Sequence, residues 1–341
     1  MGGTDEPRSF LVAVILNVTG RNCALRSGCH HTDLRTNAGH GQSRRLPTAV
    51  GLSGKQSNYK PPVDDGKPVR VPNSTAGYTW TQLRTRFIAP VWHPEDHGPL
   101  PDIVAKGRDP NVFACGFCHR ADGPGGPENA DLAGLPKSYI IQQMAEYKRG
   151  ARVTSVSSRL PPTLMIGLSK PITDAEVEAA AAYFSGLKPR KRIKVVESDM
   201  VPKSYIAGLV WAATENGERE PLGQRILEIP DDLIQFESRD PRSTFTAYVP
   251  VDSLAKGEAL VNKGGPGKTF QCAPCHGPDL KGLGPLPSIV GRSPSYMFRQ
   301  LYDFAHGART GEWSPLMAQV VSNLDQNDML AIVAYLASLD P

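Results

Sequence analysis

No stretch of this chain approaches the roughly 18 consecutive apolar residues of a membrane-spanning helix, so no transmembrane segment is expected among its 341 residues. Strong charge of one sign is missing too. The 38 Lys and Arg against 34 Asp and Glu leave a formal charge of +4, with no cluster that argues for a nucleic-acid partner. Sustained periodicity is absent from residues 1–80. Thr32 to Thr79 is instead rich in Ser, Thr, Asn, Gly and Pro, the composition of a disordered leader. His30, His31 and His40 in that leader read as solvated side chains rather than metal ligands. Cysteine is scarce, and its distribution is the first positive signal. Cys23 and Cys29 stand in the leader, open to a disulfide, to free thiols or to loss with a processed segment. The other four of the six form two tight pairs.

Those pairs are Cys115-Gly-Phe-Cys-His119 and Cys272-Ala-Pro-Cys-His276. Cys-x-x-Cys-His is the attachment signature of a c-type haem. Two cysteines three residues apart lie about one helical turn apart, so both sulfurs reach the vinyl groups of one porphyrin. The following histidine then supplies the proximal nitrogen to iron. A thioredoxin-like redox pair does not require that histidine, and a zinc site would draw its four ligands from pairs that here lie half a chain apart. Two covalent haems c are therefore expected, on Cys115 and Cys118 with His119, and on Cys272 and Cys275 with His276. The 33 Gly and 31 Pro imply much loop, which suits small domains whose cofactor replaces part of the core.

An internal repeat surrounds the motifs. Cys115 and Cys272 are 157 residues apart, and the same offset places Val104-Ala-Lys-Gly107 on Val261-Asn-Lys-Gly264. It also pairs Ser138-Tyr139 with Ser295-Tyr296, Gln143 with Gln300, and Gly150-Ala-Arg152 with Gly307-Ala-Arg309. After a five-residue length difference Met165 falls on Met317, and Tyr183 on Tyr335. Both copies read as helical. Ser138 and Ser295 are candidate N-caps for helices ending at Gly150 and Gly307. Thr173 with Glu176, and Asp325 with Asp328, open a last helix. Its apolar stripe is Val177, Ala180, Ala181 and Phe184 in one copy, and Met329, Ile332, Val333 and Leu336 in the other.

The remaining stretches carry weaker signals. Trp92-His-Pro-Glu-Asp-His97 could bind a metal, but its proline and short spacing favour a turn. Between the copies, Arg190, Lys191 and Arg192 form a basic exit, readable as a solvated linker or as a docking patch for an acidic partner. Short β-branched and aromatic runs follow, suggesting two or three strands or extended arms rather than a third core.

An electron-transfer haem needs a sixth ligand, and methionine is the soft choice that raises the potential. Of seven methionines, only Met165 and Met317 hold equivalent positions in both copies. Each follows a proline-containing loop and precedes the last helix. Met144 and Met297 align with Leu301 and Ile140, as interchangeable core residues do.

With these residues in place, 104–187 and 261–339 resemble class I cytochromes c, and the pair resembles the di-haem members built of two such domains. The family's Pro-x-Leu-Ala-Gly-like turn is matched by Pro287-Ser-Ile-Val-Gly291, while the first copy departs from it with Ala130-Asp-Leu-Ala-Gly134. The resemblance implies that the carbonyl at this turn accepts the proximal histidine's Nδ1 proton. The expected fold is mainly α: a leader over 1–80, a first cytochrome c domain over 81–190, a connector with short strands over 191–252, and a second cytochrome c domain over 253–341.

The expected function is periplasmic electron transfer between redox partner proteins, with both haems His/Met ligated, through His119 and Met165 and through His276 and Met317. Such a chain is an electron carrier rather than an enzyme. The alternatives are the cytochrome subunit of a periplasmic dehydrogenase, or a di-haem peroxidase, which needs one iron with an open or displaceable sixth position. Haem c is attached outside the bacterial cytoplasm, so export is expected. The signal-like run Phe10 to Val18 is poor, with Asp5 and Glu6 before it and no small-x-small cleavage site.

Overall fold

Prolines, glycines and side-chain caps set where the helices begin and end. The computed structural model describes residues 59–341. Helix α1 (Trp80–Arg84) opens on a capping box between Thr79 and Gln82, and a 3-10 turn covers Pro94–Asp96. The first copy then supplies α2 (Asp102–Ala105), α3 (Cys115–His119), α4 (Lys137–Arg149), α5 (Leu160–Leu168) and α6 (Asp174–Ser185). Pro101 caps the start of α2, and Gly107, at φ +67°, follows its end, leaving a single turn. The connector holds β1 (Ile193–Glu197), β2 (Met200–Pro202), β3 (Ser204–Ala207), β4 (Val210–Ala213), β5 (Arg219–Pro221), β6 (Leu227–Pro230), α7 (Leu233–Glu237) and β7 (Phe245–Val249). The second copy follows as α8 (Ser253–Lys263), α9 (Ala273–His276), α10 (Pro294–Ala305), α11 (Ser314–Val321) and α12 (Gln326–Ser338).

Both expected serine caps lie two residues past the actual cap position. Helix α4 starts at Lys137 behind Pro136, and α10 starts with Pro294 at its first position, capped by Ser293, whose hydroxyl accepts from the Tyr296 N–H. Proline carries a helical φ and needs no N–H there, so it takes the first turn ahead of the serine. Gly150 (φ +79°) and Gly307 (φ +67°) end these helices in the left-handed conformation. The last helices keep their caps. Thr173 and Glu176 close a capping box on α6, and Asp325 and Asp328 close one on α12. Asp328 is buried, and Lys256 at 2.8 Å and Lys268 at 2.7 Å neutralise it.

The stripes of the last helices face inward. Val177, Ala180, Ala181 and Phe184 pack with Ile103 and Val104 of α2, and Met329, Ile332, Val333 and Leu336 join Leu260 and Val261 of α8. Helices α8 and α12 cross at Gly257. A Cβ there would collide with the Ala331 carbonyl and come within 2.7 Å of Tyr335 Cβ. Overpacking a contact between two backbones costs about 3 kcal/mol. Gly257→Ala is therefore expected to lower the denaturation midpoint of the haem-loaded protein; an unchanged midpoint would mean the helices separate freely.

The connector holds more structure than its sequence suggested. Its seven strands form three small sheets, ordered β1-β7-β6, β2-β5 and β3-β4. Two small apolar clusters lie inside it, one around Phe236 and Phe245 and one around Val201, Leu222 and Leu227. Strands of three to five residues carry little alternation, and β1 pairs in parallel with β7, from Ile193↔Phe245 to Glu197↔Val249. Such distant pairing leaves no local signal. It also brings the connector's two ends side by side. On β6, buried Glu228 accepts from Ser293 Oγ at 2.7 Å and from the Ser295 N–H at 3.1 Å, pinning the connector to the start of α10. Burial raises its carboxyl above the usual range.

Candidate haem centres

Each Cys-x-x-Cys-His segment forms a single helical turn, as the spacing requires. In α3 and α9 the cysteine and histidine side chains are brought to one side of the backbone. His119 Nδ1 lies 2.8 Å from the Ala130 carbonyl, and His276 Nδ1 lies 2.8 Å from that of Pro287. A carbonyl only accepts, so Nδ1 carries the proton in both rings and Nε2 keeps its lone pair. Burial pushes His119 down to about 4 and lowers His276 as well, so both imidazoles are neutral at pH 7. Ala130 serves as well as proline because only its carbonyl is used. Burial also pushes the Cys115 thiol up to about 12 and that of Cys272 to about 11.

One continuous cavity of about 340 Å³ joins the two sites. Cys115, Cys118, His119 and Met165 line it from the first copy, and Cys272, Cys275, His276 and Met317 from the second. Two thiols, an imidazole with a free Nε2 and a thioether fit an iron porphyrin in each half, and the apolar walls, among them Phe184 and Ile332, fit its faces. The methionines do not sit in loops. Met165 lies in α5 and Met317 in α11, because Pro161-Pro162 and Pro315 occupy first-turn positions and start these helices. Tyr139 and Tyr296 line the cavity. Tyr183 instead donates to the Ala121 carbonyl at 2.7 Å, and Tyr335 pairs with Asn262.

The middle of the cavity holds a network whose function the sequence did not reveal. Arg152 and Arg309 form an antiparallel backbone bridge between the copies, with Val153 N–H donating to the Ala308 carbonyl at 2.8 Å. Arg152 donates to Gln143 at 2.8 Å, to Gln300 at 2.9 Å and to Tyr296 Oη at 3.0 Å; Arg309 returns to Gln143 at 2.8 Å. The repeat retains all four of these Arg and Gln residues. That was the available signal.

Two other expectations resolve differently. In Trp92–His97 the turn reading holds: His93 Nε2 lies 3.1 Å from Asp240 Oδ1 with both side chains fully buried, and Asp96 is bound by Arg242 and Arg190. Those guanidiniums, Arg242 first, hold the Asp96 carboxyl well below the usual range and occupy the charge a cation would need. The basic exit is not a free, solvated linker. Arg190 reaches Asp96 at 2.6 Å, Lys191 reaches Asp340 at 2.6 Å, and Arg192 donates to the Pro124 carbonyl at 2.6 Å. Cys23, Cys29, His30, His31, His40 and the run Phe10 to Val18 lie outside the described residues.

Directly after His119, Arg120 adopts φ 66°, ψ 166°, a region nearly confined to glycine. Holding a non-glycine residue there costs on the order of 1–3 kcal/mol. The matching residue of the second copy is Gly277, at φ 87°, ψ 156°.

No family model matches the chain. Cytochrome c-554(548) of Halomonas halodenitrificans is 33% identical over 75 residues, which are 22% of this chain and 90% of that protein. The chain belongs to the class I cytochromes c, in their di-haem form. Over a longer span this cytochrome is 28% identical to the thiosulfate dehydrogenase electron acceptor of Thiomonas intermedia, across 67% of its own length and 80% of the relative's. It is 25% identical to cytochrome c4 of Azotobacter vinelandii, across 66% and 84% of the two chains. The solved cytochrome c4 of Acidithiobacillus ferrooxidans aligns with 66% of the chain and 98% of its own at 23% identity, with a TM-score of 0.42. The cytochrome carries two covalently bound haems c and transfers electrons. Among the described residues no helix is long and apolar enough to cross a membrane.

Proposed function

We propose that the cytochrome relays single electrons in the periplasm between a donor and an acceptor protein. One haem is held by Cys115 and Cys118 with His119 and Met165 as axial ligands. The other is held by Cys272 and Cys275 with His276 and Met317. The observation that carries this reading is the shared cavity, which gathers equivalent thiols, imidazoles and thioethers from both copies. Each bound iron supplies reversible one-electron chemistry. The chain's own groups orient the imidazoles through Ala130 and Pro287 and wall the site with apolar side chains. The relatives named for accepting electrons from thiosulfate dehydrogenase suggest a periplasmic dehydrogenase as donor.

A peroxidase would need one iron without a fixed sixth ligand, whereas here both halves present a methionine. The ferric holoprotein is therefore expected to give two low-spin His/Met signals by EPR and a methionine–iron charge-transfer band for each haem. A high-spin component accounting for half the iron would overturn the carrier reading and favour the peroxidase.

A further inference from the structure

The repeat provides an internal control for access to the two haems, given the attachment residues proposed above. In the first copy the attachment turn is covered on two sides. Residues 86–89 cross one side: Ala114 N–H donates to the Arg86 carbonyl at 2.9 Å, and a Cβ on Gly116 would lie 2.6 Å from Ala89 Cβ. Phe113 meets Phe87 edge-on at 5.7 Å, with the Arg86 guanidinium 4.8 Å from its ring. From the other side the connector reaches over. Arg239, just beyond α7, stacks 3.6 Å from the Phe117 ring and donates to the carbonyls of Phe117 at 2.9 Å and Leu83 at 2.7 Å. Arg120 takes its glycine-like backbone conformation and places its guanidinium 5.1 Å from the Phe236 ring.

The matching turn of the second copy is more open at its ring positions. Phe270, the counterpart of Phe113, is 62% exposed, whereas Phe117 is only 9% exposed and its counterpart Pro274 lies in the open. Gly116 becomes Ala273, with nothing crossing it that requires glycine, and Arg120 becomes Gly277. Cys275 is exposed where Cys118 is half-buried. Beside this turn two apolar side chains outside the cavity lining are exposed, Phe270 and Leu283. Trp313 and Leu316 line the same cavity as Cys272 and Cys275, and Leu283 bridges to Leu286 on its wall. Charge nearby is sparse and balanced. Asp279 accepts from the backbone N–H of Lys281, and Lys268 is held by Asp325 and Asp328.

We infer that redox partners exchange electrons with this cytochrome only at the attachment edge of the second copy, and that the first haem is reached through the second. The porphyrin edge bonded to each cysteine pair must lie against it, so the cover that hides Phe117 hides that edge. The partner that fits the open collar is a redox protein with an apolar, weakly charged face around its own cofactor. One electron leaves the partner's cofactor, which is oxidised, and reduces the second haem. It then passes to the first, with no bond made or proton moved.

The test is flash reduction of the ferric holoprotein, held in excess, by a neutral flavin semiquinone. One phase is expected to rise linearly with protein concentration and a second to be independent of it, as internal transfer requires. Two phases that both rise with concentration would overturn one-sided access. Arg120→Gly with Arg239→Ser is expected to uncover the first haem and add a second concentration-dependent phase, since glycine already fills this position in the second copy. If that variant kept the wild-type pattern, the cover would not be the barrier. For the partner face, the probe is azurin, a blue-copper protein, mixed with the reduced cytochrome. Phe270→Glu with Leu283→Glu, both exposed and outside the cavity lining, is expected to slow that reaction at least tenfold while leaving the flavin phases unchanged, and wild-type rates should change less than twofold between low and high salt. A strong salt dependence, or an unaffected variant, would overturn the apolar partner. The methionine charge-transfer bands are read separately, so a failure of the proposed ligands is distinguishable from a failure of one-sided access.

Discussion

Protein matured with Cys272→Ala and Cys275→Ala is expected to carry one haem by mass spectrometry and to lose cooperative unfolding of residues 253–341. The second copy is rich in buried apolar residues, from Val261 and Phe298 to Val333 and Leu336. Those side chains nevertheless surround a hollow. The shared cavity of about 340 Å³ would stay unfilled on the second copy's side, and apolar walls left without packing partners are destabilising. That loss falls on a module of some eighty residues, a size at which a core alone supplies little reserve. Without its haem the second copy should therefore melt early and without a sharp transition, while the first, filled and clamped by Arg239 and Arg120, unfolds near its usual temperature. Circular dichroism against temperature, followed alongside haem absorbance, separates the two. Retention of both haems would remove the second attachment site, and an unchanged melt would mean that the hollow closes on its own.

The features the sequence made legible were those with a fixed local geometry. Cys-x-x-Cys-His is one turn of helix wherever it occurs, and Thr173 and Asp325 announce their helices through a bond three residues away. The repeat then served in place of an alignment. It singled out Met165 and Met317 among the methionines, and it also retained Gln143, Gln300, Arg152 and Arg309, though their meeting across the copies needed coordinates. Helix starts were misjudged where proline competed with serine, at Pro136 and Pro294. Proline was likewise taken for loop at Pro161 and Pro315, where it starts the helix that carries the methionine. The connector was under-read because its bonds are distant: β1 pairs with a strand some fifty residues on, and Arg239 acts on Phe117, more than a hundred residues earlier. The basic exit misled for the same reason, since charge along a chain says nothing of the partners that Asp96, Asp340 and Pro124 provide. Arg120 was visible only by contrast, as the one residue after a haem motif that its twin replaces with glycine.

Replacing either methionine by alanine is expected to change one haem and leave the other nearly as it was. Met165 and Met317 each sit on a short helix that begins with proline and packs ahead of the last helix, α6 or α12, whose capping box fixes where it starts. An alanine methyl cannot reach iron, so the sixth position passes to water or a weaker ligand. Losing a soft thioether removes the preference for ferrous iron. Axial ligation spans about 0.8 V across haem proteins, and a fall of roughly a tenth of a volt is a modest share of it. Redox titration of Met165→Ala and of Met317→Ala should therefore each show one unshifted wave and one lowered wave, with half the methionine–iron charge-transfer band lost. The altered haem should also bind carbon monoxide when reduced. In Met317→Ala it should do so quickly, through the collar of Phe270 and Leu283; in Met165→Ala the covered first copy should slow it. If either variant kept the whole band and both potentials, that methionine would not be the ligand. The thioethers of Met144 and Met297, which line the same cavity, would then be next to test.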